Sequence, residues 1–332
     1  MKFAGTFKFT RTFKFTSALK CSGAVFAVIA ASAFVSAPAA AQNWPTKQIT
    51  ILVGTAPGGT YDTIARLVAS HFEKRWGQPV VVESRSGNIL ATSIAARAAP
   101  DGYTLVMGAS NNAHLFIKDL NFDPQKDVVP VSVLGIQNYL LLASRGAKVK
   151  NIADFVAQAK ANPGKFNFGV VTGGPHDIET NDMQSALGIK VSHIGYKGIA
   201  PIYVALMSSE IDAALGTTTP QLKTGEIIAL AIAGEKRHPE YPDVPTFRES
   251  GIRYEPQANY PLYTRAGVPR EVLAKMSEEA AVVAKSPEFA ARVTRVFSID
   301  GVGLSQEASA KYLNDDVARQ KRVAERVGIK PQ

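Results

Sequence analysis

From Gln48 onward, short apolar runs alternate with longer amphipathic segments. Residues 48–53 form a β-branched run stopped by Gly54, and the following stretch, Thr60–Trp76, places Ile64, Leu67, Val68, Phe72 and Trp76 at helical spacing. A strand is predicted at 79–83, a helix around 91–99, a turn at Pro100-Asp-Gly102 and a strand at 104–108. This β-α-β-α-β order implies a parallel sheet with right-handed crossovers. A second cycle follows a strand near 139–143: helix 152–161, strand 166–171, a helix after Thr172-Gly-Gly174, the segment His193-Ile-Gly-Tyr196, helix 199–208, strand 211–215, a short helix near 219–224 and strand 227–233. Beyond Pro245 come a turn-rich stretch, a strand at 262–265 and helices at 270–284, 287–296 and 305–327. Ser286 caps the second of these and Pro287 opens it. The expected fold class is therefore α/β with two lobes, each a mostly parallel sheet flanked by helices. With crossings near Ala143 and Gln257, residues 42–142 and 258–332 form the first lobe and 143–257 the second.

Composition supports this picture: 46% of the 332 residues are hydrophobic and 20% charged, enough apolar side chain for two ordinary cores. The formal net charge of +9 suggests an anionic partner until its location is examined. Lys2, Lys8, Arg11, Lys14 and Lys20 precede the apolar run 23–35, and Ala39-Ala-Ala41 supplies small residues before Gln42. That order reads as a cleavable secretory signal over residues 1–41, with an apolar run shorter than the ~20 residues a spanning helix needs. Cleavage removes more than half of the formal charge, and the remainder defines no nucleic-acid partner. The single cysteine, Cys21, leaves with the signal, so a mature protein without thiols is expected to rely on its hydrophobic cores. The destination is the periplasm of an organism with two membranes.

The most informative segment is Val53-Gly-Thr-Ala-Pro-Gly-Gly-Thr-Tyr-Asp62, set between a strand and a helix. Gly58 and Gly59 let a ligand approach the backbone, and the start of the helix offers unpaired N–H groups and a positive dipole end. Ala56, Pro57, Gly58, Gly59 and Thr60 thus form a candidate anion site. No lysine follows Thr60, so a Walker-type nucleotide loop is excluded and a carboxylate fits better. Asp62 has two readings, as a first-turn carboxylate favoured by the dipole or as a ligand group ordering water or receiving an ammonium. Ser110, Asn111 and Thr172, after other strands, are neutral hydrogen-bonding candidates that a doubly wound fold brings to one cleft. His114, His176 and Asp177 lie in the same loops, where ordinary exposure or helix capping competes with ligand contact.

Catalytic patterns are sparse. The five histidines contain no zinc-type helical pair, and there is no Gly-x-Ser-x-Gly elbow. No catalytic residue, metal ligand or cofactor is expected. Lys and Arg between 311 and 326 alternate with Asp315, Asp316 and Glu325, the pattern of a solvated helix face.

Several motifs occur together in order: Trp44-Pro-Thr-Lys-Gln-Ile, Pro57-Gly-Gly-Thr-Tyr-Asp-Thr-Ile-Ala-Arg66, Gly77-Gln-Pro-Val-Val-Val-Glu-Ser-Arg85, Ala99-Pro-Asp-Gly-Tyr-Thr104, Tyr196-Lys-Gly198 and Pro242-Asp-Val-Pro-Thr246. The chain so marked resembles the Bug, or TctC-like, solute receptors of tripartite tricarboxylate transporters. The resemblance implies a periplasmic-binding-protein (Venus-flytrap) fold holding a small carboxylate between its lobes, with integral-membrane transporter subunits as partners and the receptor itself a monomer. It implies that the loop at 56–60 grips the carboxylate through backbone N–H groups, aided by Ser110, Asn111 and Asn112. Thr172, Gly173, Gly174, His176 and Asp177 are then expected to read the rest of the molecule. Tyr196 would favour an aromatic acid if it faces the cleft, as would Tyr260, and Thr217 opens a shortened loop where many relatives carry an Asp-Asn pair. The run after Gly87 is also shortened, so ligand identity does not carry over. Two alternatives remain at this point: a receptor of the same fold that signals to a sensor kinase, and a hydrolase using His176 and Asp177.

Overall fold

The computed structural model describes residues 43–328 other than 56, 86, 109–111 and 172–174, together with residue 331. The signal expected at 1–41 lies outside them, as do the candidate residues Ala56, Ser110, Asn111, Thr172, Gly173 and Gly174.

Two sheets carry the fold. The first contains β1 (Ile49–Val53), β2 (Val80–Ser84), β3 (Thr104–Met107), β4 (Val128–Asn138), β10 (Gln257–Arg265) and β11 (Asp300–Gly301), in the order β11-β4-β10-β3-β1-β2. The second contains β5 (Leu140–Ser144), β6 (Asn167–Val171), β7 (Ser192–Tyr196), β8 (Ala213–Gly216) and β9 (Ile227–Ile232), in the order β7-β6-β8-β5-β9. The α/β class with two lobes is as the sequence implies. Most strands of each sheet point one way, but each sheet has a strand inserted against its neighbours. β10 is antiparallel to both β3 and β4, and β5 is antiparallel to both β8 and β9.

β4 is the largest departure from the pattern reading, which had no strand there. Pro130 and Gly135 interrupt its sequence, and both residues normally argue against a strand. The pairing absorbs them with register shifts opposite Tyr260/Pro261 and Leu262/Tyr263. Pro261, lacking an N–H, stands at one of these irregularities. β10 consequently starts at Gln257, ahead of the expected 262.

Helices cover the faces: α1 (Thr60–Trp76), α2 (Asn88–Arg97), α3 (Ile152–Ala161), α4 (Pro175–Leu187), α5 (Ile199–Met207), α6 (Pro220–Lys223), α7 (Arg270–Ala284), α8 (Pro287–Phe289), α9 (Arg295–Phe297) and α10 (Gln306–Val327). The single helix predicted over 287–296 begins as expected, with the Ser286 hydroxyl accepting from Phe289 N–H, but passes through a π-helical turn, Ala290–Thr294, before α9. Separate cores lie in each lobe. Leu52, Ala91, Val106, Val133 and Tyr263 pack in the first. Phe155, Phe168, Met183, Leu215 and Phe247 pack in the second, each large side chain worth about 1.5–3 kcal/mol of burial.

The strand directions place the site. β4 ends at Asn138 and β5 begins at Leu140, opposite Gly216 at the end of β8. Hence the C-terminal ends of β1, β3 and β4 point toward the second sheet, and those of β6 and β8 point back. The connections that follow these strands meet at the seam. α10 spans it, packing on β4 and on α4, and Leu115, Ile178, Val323 and Ala324 form a small apolar cluster there.

Candidate functional site

At the first lobe's side of the seam, α1 starts with Gly59 as N-cap, and no side chain caps it. The N–H groups of Thr60, Tyr61 and Asp62 have no intrahelical acceptor at this end, so the site offers donors and a positive dipole. The preceding turn is shaped by Gly58 at φ +83°, a conformation costly for any residue with a Cβ. Asp62 holds that turn in place: its Oδ2 accepts from Gly58 N–H and from Arg66 Nε, both at 2.9 Å. Burial raises the Asp62 pKa, but the Arg66 and Gly58 bonds outweigh burial and hold it below the ordinary carboxylate value. Gly54, at the end of β1, serves packing: a Cβ there would fall 2.3 Å from the Cα of Asn88, the first residue of α2.

Beside the start of α1 lies a cavity of about 100 Å³. Tyr61 and Asn112 line it from the first lobe, Pro175 and Glu179 from α4, Tyr139 and residues 257–259 from the two chain crossings, and Asp316 and Gln320 from α10. Tyr61 is buried enough that its phenol pKa is pushed up to about 12, and its ring meets Tyr260 at 5.2 Å. Burial also raises Tyr139. These phenols are neutral at physiological pH.

Behind the cavity wall is an ion cluster between the lobes. Arg319 of α10 donates through both terminal nitrogens to Glu179 of α4, to Asp182 at 3.2 Å and to Asp316 at 2.9 Å, and Arg326 reaches Asp182 at 2.9 Å. Burial pushes the Glu179 pKa up to about 7 against the pull of Arg319. The solvated face expected over 311–326 is therefore only half right. Lys311 and Asp315 pair in solvent, with side chains 79% and 67% exposed, whereas Arg319 and Asp316 turn into the seam.

The remaining candidates scatter. His176 is buried, with Val171 N–H donating to its Nδ1 and its Nε2 bonded to the Leu215 carbonyl at 3.0 Å. Both ring nitrogens thus serve the backbone, and burial lowers the pKa, leaving a neutral imidazole. Asp177 faces the other flank of α4 from Glu179: its Oδ1 accepts from Asn181 and lies 3.7 Å from His193 of β7. Tyr196 donates to Glu210, and Thr217 is fixed by Tyr203, whose hydroxyl accepts from its N–H at 2.9 Å. Pro57, Gly58, Gly59, Thr60 and Asp62 stay together at the α1 entry beside the cavity, and of all the described candidates only Asn112 lines it. Pattern reading missed Glu179, Asp316, Arg319 and Asn259. One signal was available, since Gln320 occupies the apolar stripe of α10 with Leu313, Val317 and Val323, and a polar residue at a core position has to be bonded.

A two-lobed α/β protein with an uncapped helix start beside a cavity between the lobes is built as a solute-binding protein. Residues 64–329 match the model of the Tripartite tricarboxylate transporter family receptor, TctC, and the chain belongs to that family. A UPF0065 protein of Agrobacterium vitis, from the TAR-I ttuE-ttuC′ intergenic region, is 32% identical over 292 residues, covering 85% of this chain and 83% of its own. The solved structure of R. palustris Rpa4515 with adipate superimposes with a TM-score of 0.74 at 28% identity, covering 87% of this chain and all of that one. The periplasmic binding protein BugD gives 0.71 at 25% identity with the same coverage.

Proposed function

We propose that this chain is a periplasmic receptor that captures a small organic carboxylate between its lobes and hands it to the membrane subunits of a tripartite tricarboxylate-type secondary transporter. The observation that carries this reading is the uncapped start of α1 beside the seam cavity, with Gly58 held open by Asp62. A carboxylate there gains about 0.3–1 kcal/mol from the helix dipole, up to ~2 when desolvated, in addition to hydrogen bonds to backbone N–H groups. The adipate held by Rpa4515 supports the ligand class. The lobes are taken as 42–142 with 258–332 and 143–257, in keeping with strands that cross at Tyr139 and return at Gln257. Residues 1–41 direct export.

Binding is tested by unfolding and refolding the protein to strip retained ligand, then titrating carboxylates in a thermal-shift assay. A ligand at 100 times its Kd adds about 2.7 kcal/mol. Silence toward every mono-, di- and tricarboxylate, aromatic acid and amino acid rejects the receptor reading. Fractionation of cells expressing the chain with and without 1–41 tests export, and recovery of the full-length form in the cytoplasm rejects it. The hydrolase alternative loses support because His176 has no ring nitrogen left for a substrate.

A further inference from the structure

We infer that the second polar group of the ligand is an ammonium, so that this site selects an amino carboxylate over a dicarboxylate, with Asn259 as the residue that reads it. The inference rests on the receptor function proposed above and adds the charge of the ligand's other end.

Asn259 is 8% exposed and lines the cavity. Its amide nitrogen faces Asp316 Oδ2 at 3.3 Å. A carboxylate accepts and does not donate, so the NH2 group has to be the half that faces Asp316, leaving the carbonyl on the other side. That carbonyl, Oδ1, is buried without a hydrogen-bond partner. Two other amides on the same wall are engaged elsewhere. Gln320 Nε2 is committed to Asp316 at 2.9 Å, and Asn112 Nδ2 is committed to Gln320 Oε1 at 2.7 Å. A buried acceptor left unmade costs about 1–3 kcal/mol, and a ligand donor recovers that cost.

Charge points the same way. Glu179 and Asp316 line the cavity, and among the described residues no lysine, arginine or histidine does. Arg319 approaches them from behind, its two terminal nitrogens occupied by Glu179, Asp182 and Asp316. Three carboxylates, Glu179, Asp182 and Asp316, share two guanidinium groups, Arg319 and Arg326. A ligand gripped by one carboxylate at α1 would push a second carboxylate against the Asp316 carboxylate and the Glu179 carboxyl, with no lining cation among the described residues to receive it. An ammonium in the same place meets an orphaned carbonyl and an acidic wall.

The test is isothermal titration of stripped, refolded protein with two matched series. One runs through glycine, β-alanine, 4-aminobutyrate, 5-aminovalerate, aspartate and glutamate; the other through malonate, succinate, glutarate, adipate and malate. The expected result is tighter binding of at least one amino carboxylate, by tenfold or more, than of any dicarboxylate, with the preference lost in Asn259→Leu. Dicarboxylates binding as tightly or more tightly overturn the inference and leave the receptor function standing. A preference unchanged in Asn259→Leu overturns the assignment to Asn259. If neither series binds but another carboxylate does, the amino-carboxylate inference fails alone, and if no carboxylate binds, the receptor function fails with it.

Discussion

Arg319 on α10 and Glu179 on α4 form a two-pronged hydrogen bond across the seam, one arm at 3.0 Å. Removing one partner strands the other. Arg319→Met should cost about 3 kcal/mol, the lower end for a broken buried pair because the Arg319 side chain keeps 30% exposure. The double variant Arg319→Met/Glu179→Leu should recover most of that loss in urea unfolding. Strict additivity of the two single losses would show that the pair does not act as a unit.

Glu179 also sets a pH dependence. Its pKa of about 7 in the folded chain lies above the ordinary 4.5, so between those values the folded state holds more protons than the unfolded one. Its contribution to stability therefore falls as pH rises from about 4.5 to about 7. The stability of the wild type relative to Glu179→Gln should decline over that window, measured by urea unfolding at pH 4.5, 6 and 8. A difference that stays level across the three would discard the assignment.

In the proposed receptor, Asp62 would act on the ligand through the backbone. Asp62→Ala removes the acceptor for Gly58 N–H and for Arg66, freeing the turn before α1. Carboxylate affinity should drop about tenfold, the equivalent of one hydrogen bond to a charged group, while Arg66→Ala, which leaves the Gly58 bond, should weaken binding far less. Equal losses in calorimetry would place the effect in the ion pair and not in the turn.

Gly54→Ala tests the packing beneath the site. The new methyl would meet the Asn88 side chain and also its backbone Cα and N, and the backbone atoms cannot swing aside as a side chain can. A loss of about 1–3 kcal/mol is expected, the usual range for overpacking, and a melting temperature equal to wild type would contradict the close approach of α2 to β1.

Much of the fold was legible because local periodicity carries it. Thr60–Trp76 and Ile152–Ala161 match their predicted bounds, and the Ser286-Pro287 start was readable from two residues. β4 was not, because its Pro130 and Gly135 are tolerated only through a partner strand more than 100 residues away. The α1 entry could be recognised because its chemistry is backbone chemistry marked by glycine. The far wall of the cavity could not, since Glu179, Asn259 and Asp316 come from three distant elements and meet only by folding. His176 and Asp177, adjacent on a helix and so about 100° apart, are not among the residues that line the cavity.

β10 lies between β3 and β4 in the first sheet although it starts only at Gln257, long after β3 ends at Met107 and β4 at Asn138. A chain emerging N-terminus first cannot join β4 to β3 in that sheet until Arg265 is available, and the non-local pairing is intrinsically slow to form. For the exported polypeptide proposed here, this ordering keeps the core of the first lobe open during synthesis. If residues 1–41 direct export as proposed, a first lobe left open in this way would suit passage through a translocation channel, with its sheet closed on the far side of the membrane.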